Sequence, residues 1–117
     1  MGKDFAKLRR QIIDDMIQIY RPDLFDWMYY QISKNNRISF HHIVEERNGG
    51  KLSIENGAIL TLKSHADLNQ IELLDKYLYV AWNELFQDIN LSSVPPSETH
   101  RIEMQKLKIY TNKTLYK

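Results

Sequence analysis

An α+β domain is what this sequence predicts, and three observations lead there. Apolar residues recur at helical spacing near both ends, two short β-type runs lie between them, and a glycine turn separates those runs. The 117 residues suit one domain, 1–117, with a modest core. There is no cysteine, so disulfides and thiolate zinc sites are both excluded. The N-terminal MGKDFAKLRR lacks the apolar run of a signal peptide. No stretch approaches the roughly 20 apolar residues of a membrane span. A soluble, cytoplasmic chain with no membrane partner is the expectation.

Residues 4–20 read as a helix, with Phe5, Leu8, Ile12, Met16 and Ile19 at helical spacing and Asp4 able to cap the start. Arg21-Pro22 ends it, because proline cannot continue the hydrogen-bond ladder. A second helix is expected from Asp23 to about Lys34, burying Leu24, Phe25, Trp27, Met28 and Ile32, and Asn35-Asn36 closes it. The Trp27-Tyr29-Tyr30 group reads as core, with a base-stacking surface as the alternative. Ile38 and Phe40 begin a short strand, and Asn48-Gly49-Gly50 is a turn. AILTL, residues 58–62, suits a second, buried strand.

Ser64 and Asp67 read as a capping box that places His65 in the first turn of the next helix. Leu68, Ile71, Leu74, Leu78, Ala81 or Trp82, Leu85 and Ile89 extend its apolar stripe, as one long helix or two with a tight bend. Ser93-Val94-Pro95-Pro96 is a rigid connector. A last helix over about Ser97–Tyr110 carries Ile102, Leu107 and Ile109, and the end, TNKTLYK, is expected to fray.

The formal charge of +1 decides nothing about partners, but its distribution is uneven. Residues 101–117 hold Arg101, Lys106, Lys108, Lys113 and Lys117 against Glu103 alone, a local +4. Such an end can lie along phosphates, or it can be a solvated helix face; charge alone favours neither.

The chemistry-bearing residues gather in Phe40–Asn69. His65 and Asn69 stand one helical turn apart, so an imidazole nitrogen and an amide oxygen share a face and can both bind a divalent ion. The pair His41-His42 supplies a third ligand and a spare imidazole, which is suited to general-base work at neutral pH. Neighbouring strand residues point to opposite faces, so both histidines can serve one site only if the strand ends or twists there. Glu45, Glu46 and Arg47 read as solvated loop charges, with Arg47 also within reach of a phosphate. His100 reads as surface.

The order His41-His42, Gly49-Gly50, Asn56, His65 over residues 37–77 resembles the HNH endonuclease family, whose fold is the ββα-metal finger. The resemblance implies such a finger flanked by α-helices on both sides. It also implies metal-dependent hydrolysis of DNA, double-stranded in the first instance, with one Mg²⁺ or Mn²⁺ ion. By position, His42 matches the general base, and Asn56 matches the asparagine that braces the loop behind it or assists directly. His41 and His65 match metal ligands, and Asn69 matches a second helix ligand that is often histidine. Cutting both strands would need two active sites and hence a homodimer. Many relatives carry a structural zinc on a Leu-Cys-x-x-Cys-His stretch; Leu60–His65 here has no cysteine and cannot. Arg47, Arg101, Lys106, Lys108 and Lys113 are the expected nucleic-acid contacts. A non-catalytic nucleic-acid-binding or inhibitory protein that kept the finger is the alternative.

Overall fold

The computed structural model describes residues 2–92 and 94–116. It has four helices and a two-stranded antiparallel sheet, an α+β arrangement. Helix α1 spans Gly2–Tyr20, strand β1 Ile38–Phe40 and strand β2 Ile59–Thr61. Helices α2, Leu62–Leu74, α3, Lys76–Ser92, and α4, Glu98–Leu115, follow. Ile38 pairs with Thr61, Ser39 with Leu60 and Phe40 with Ile59. Two 3₁₀ turns, Glu46–Asn48 and Ile54–Asn56, shape the loop between the strands. Ser93 and Lys117 lie outside the described residues, so the connector is followed only from Val94 onward.

Helix α1 forms where expected, but only its C-terminal half is buried. Ile12, Met16 and Tyr20 face the core, whereas Phe5 and Leu8 are each 48% exposed and Ile19 points outward. Arg21 takes a left-handed conformation (φ 43°) that turns the chain away before Pro22.

The helix expected over 23–34 does not form. Asp26 prevents it by offering the backbone better partners than a helix would. Its Oδ1 accepts from the amides of Met28 (2.9 Å) and Tyr30 (3.0 Å), and its Oδ2 accepts from the Thr61 amide (2.8 Å) and the Ser64 hydroxyl. The amide of Trp27 meanwhile donates to the Ile59 carbonyl, and Tyr29 is left-handed (φ 63°). The segment becomes a looped clasp on the edge of β2, with Trp27 and Met28 buried and Leu24 and Phe25 exposed. The aromatic group is thus core at Trp27, which packs on Tyr20 and Phe86.

The long helical stripe is two helices. Asp75 leaves helical geometry (φ −151°), and its Oδ1 accepts from the Leu78 amide, capping α3. Leu74 is then exposed, while Leu68, Ile71, Leu78, Trp82, Leu85, Phe86 and Ile89 form the core floor. Each fully buried side chain of this size contributes about 1.5–3 kcal/mol. Thr61, not Ser64, caps α2: its hydroxyl accepts from the Ser64 amide, and the helix starts at Leu62.

Ser97 caps α4 together with His100, whose Nδ1 accepts from the Ser97 amide. Of the expected inner face of α4 only Leu107 packs against the core. Ile102 and Ile109 are exposed, and Met104 and Thr111 are buried. The end does not fray at Thr111, because α4 runs to Leu115. Trp82 Nε1 donates to Thr111 Oγ1 (2.9 Å), and the Tyr116 hydroxyl donates to Asp67 (2.6 Å).

Candidate active site

Strand β1 ends at Phe40, so His41 and His42 follow it on irregular backbone and are not held to opposite faces of a strand. With His65 and Asn69 of α2, both histidines line one open cleft of about 230 Å³. The structure therefore brings together four of the five residues singled out by the sequence pattern. Phe40, Glu45, Glu46, Glu72 and Tyr79 complete the cleft wall.

His41 is the buried member. Its Nε2 lies 2.8 Å from Asn83 Oδ1, which can only accept, so Nε2 carries the proton and Nδ1 keeps its lone pair. Its ring stands edge-on to those of His65 (centroids 5.2 Å apart) and Phe86 (6.0 Å). Burial pushes its pKa down to about 4, against a smaller upward pull from Asn83, so the ring is neutral at physiological pH. Burial likewise lowers His65, aided by the charge of His42. His65 Nδ1 lies 3.4 Å from the Ser39 hydroxyl. His42 is only partly covered, edge-on to Phe40 at 4.7 Å, and reaches solvent.

Asn56 does not line the cleft; it holds the loop that forms it. Its Oδ1 accepts from the Val44 amide (2.8 Å), and its Nδ2 donates to the carbonyls of Val44 and Lys51 (both 2.9 Å). The whole carboxamide is used in this way, so Asn56 is a positioning residue. Its turn is pinned in place by Asn90 of α3, which donates to the Gly57 carbonyl (2.6 Å) and accepts from the Tyr20 hydroxyl (2.5 Å). Gly49 and Gly50 are required by geometry. Gly49 is left-handed (φ 88°), and a Cβ on Gly50 would lie 1.6 Å from the Val44 carbonyl oxygen.

Two contributions are not legible in the sequence. Tyr79 and Asn83 stand one turn apart on α3; Asn83 holds the His41 ring, and the Tyr79 hydroxyl donates to Glu45 Oε1 (3.4 Å). The only signal is two polar groups beside an apolar stripe. Glu45 is also not a freely solvated charge. It pairs with Arg47 and shares a hydrogen bond with Glu72, which raises Glu72 and lowers Glu45.

As for a divalent ion, the donors suit one in part. His41 and His65 offer neutral imidazoles from two elements, and Asn69 adds an exposed amide on the same cleft. Among the described residues no three His, Cys, Asp or Glu side chains converge on one point. The protein would thus fill only part of a coordination sphere, with two nitrogen donors and one amide oxygen, and water would have to supply the rest.

The expected nucleic-acid contacts on α4 lie elsewhere. Lys106 pairs with Glu103, and the Lys108 ammonium sits 3.6 Å from the Tyr30 ring centroid, half-buried. Lys113 lies 6.0 Å from the Tyr110 ring, and Arg101 lines a separate cavity with Tyr29 and Pro96. No residue of α4 lines the histidine cleft. Arg47 is exposed just outside it, held by Glu45. His100 is not free surface but caps α4 and pairs with Asp88 (2.9 Å).

Comparison of the chain with protein-family models, with curated proteins and with solved structures found no match. No helix among the described residues is long and apolar enough to cross a membrane.

Proposed function

We propose that this protein is a metal-dependent endonuclease of the HNH type, hydrolysing phosphodiester bonds in DNA at the cleft of His41, His42 and His65. One observation carries the reading: three imidazoles and Asn69, drawn from two segments, share one open cleft, while Asn56 braces the loop that presents two of them. The β1–β2–α2 order supports a ββα-metal finger at its centre.

His42 is the member placed for proton transfer, since it is partly exposed while His41 is buried and committed to Asn83. It takes a proton from water, whose oxygen bonds to phosphorus as the bond to the leaving sugar oxygen breaks. His41 and His65, both held neutral, would hold Mg²⁺ or Mn²⁺ with help from Asn69. A bound ion supplies positive charge to the phosphate and to the leaving oxygen. Asn83 fixes the His41 ring in one tautomer and orientation. The described residues form one such cleft, so cutting both strands calls for two copies.

The test is cleavage of plasmid DNA by purified protein in Mg²⁺ or Mn²⁺. His42→Ala should lower the rate by about 10² to 10⁴-fold, the range for loss of a general base, with duplex affinity nearly intact. A variant that cuts at the wild-type rate removes the mechanism. A wild type that binds DNA but never cuts it leaves a nucleic-acid-binding protein.

A further inference from the structure

The basic residues that stand nearest the histidine cleft are not those of α4. A groove of about 670 Å³ runs between α1 and β1 and opens onto His42 and His65. Arg9 and Arg10 of α1 line it, and Arg37 lines it just before β1. Ile13, Ile38 and Leu62 supply an apolar wall, and Asp14 is the one carboxylate.

All three arginines are exposed, and none is ion-paired among the described residues. Asp14 therefore leaves most of their charge uncompensated. This differs from α4, where Lys106 has a carboxylate partner and Lys108 is covered by an aromatic ring. Exposed guanidinium groups present planar, paired donors that match phosphate oxygens. Their location matters as much as their charge: a polyanion lying here passes directly beside His42.

We propose that this groove seats the DNA backbone next to the cleaved bond, with its phosphates held by Arg9, Arg10 and Arg37. The inference rests on the nuclease reading for the identity of the polyanion, but it makes a binding claim of its own. It moves the principal DNA contact from the C-terminal helix to the face formed by α1 and the sheet. The partly exposed α1, with Phe5 in a small cavity beside His42, belongs to the same face.

The experiment measures binding of a short labelled DNA duplex by fluorescence anisotropy across a salt series. The full chain carrying His42→Ala is the parent, so the duplex stays intact. Removing one arginine–phosphate pair should reduce the slope of log affinity against log salt by about 1. The triple variant R9Q/R10Q/R37Q should therefore lose about 2–3 in slope, and R9K/R10K/R37K should recover most of it. The pair K106Q/K113Q should leave the slope unchanged. Since the three side chains are exposed, all variants should melt with the parent, and the lysine triple controls for any that do not. An unchanged slope in the glutamine triple, a loss no larger than that of the α4 pair, or a parent that does not bind duplex would each overturn the proposal. Arginine-dependent binding without any cleavage would sink the hydrolase reading and leave this one standing. Normal cleavage with no arginine dependence would do the reverse.

Discussion

At His41 the site and the stability of the fold meet in one side chain. The ring is buried against Phe86 and His65 and donates to Asn83, so its charged form has no room. In the unfolded chain an imidazole takes up its proton near ~6.5, whereas here it does so only at about 4. Between those values the unfolded state binds more protons, so stability falls as pH falls. The contribution is complete above about pH 6.5 and amounts to about 3 kcal/mol. His65, also lowered, acts in the same direction, while Glu72, raised by Glu45, acts against it. In EDTA, the melting temperature should drop between pH 7 and pH 4.5, and His41→Gln should flatten that profile. Parallel profiles for the two proteins would show that burial does not hold His41 neutral.

Helix α4 shows the limits of reading elements from apolar spacing. Ile102, Leu107 and Ile109 suggest one inner face, yet the helix packs through Met104, Leu107 and Thr111 and leaves Ile102 and Ile109 exposed. Thr111 is fully buried because Trp82, deep in α3, needs an acceptor for its indole N–H, and the Thr111 hydroxyl provides it. Thr111→Val keeps the shape and leaves that donor unsatisfied. It should cost about 1–3 kcal/mol, measured by urea unfolding, and Trp82→Phe should remove most of the difference. A cost near zero would mean that the bond adds nothing. Local and distant causes divide the rest of the fold in the same way. Helix α1, the two strands and the glycine turn follow from local spacing and turn chemistry. The meeting of His41, His42, His65 and Asn69 in one cleft, by contrast, is legible only through the family resemblance and depends on the pairing of β1 with β2. The clasp at 21–37 is hidden from such a reading because one buried acid, Asp26, overrides helix periodicity through partners on β2 and α2 that are distant in sequence. Asn83 is hidden for the same reason, as its role depends on where α3 lands.

Across the whole molecule, the two imidazoles proposed as ligands belong to separate elements, brought together only when β1 pairs with β2 and α2 starts from β2. An unfolded chain cannot assemble that pair, so an ion that binds it stabilises the folded state by mass action. The gain is about 2.7 kcal/mol at a hundred times the dissociation constant. The fold also has ties that involve no ion. Asp26 already ties the clasp to β2 and α2, Asn90 ties the 54–57 turn to α1, and no cysteine exists for a structural thiolate zinc. Millimolar Mn²⁺ or Mg²⁺ should therefore raise the melting temperature of the wild type, and EDTA should return it to the metal-free value without unfolding. The gain should shrink in His65→Ala and His41→Ala. It should shrink less in Asn69→Ala, because an exposed amide oxygen is the weakest of the three donors. Cleavage should disappear in EDTA while the circular dichroism spectrum stays constant. Calorimetry that finds no metal binding, even with duplex DNA present, together with a melting temperature indifferent to both ions, would mean that the cleft of His41 and His65 is not a metal centre.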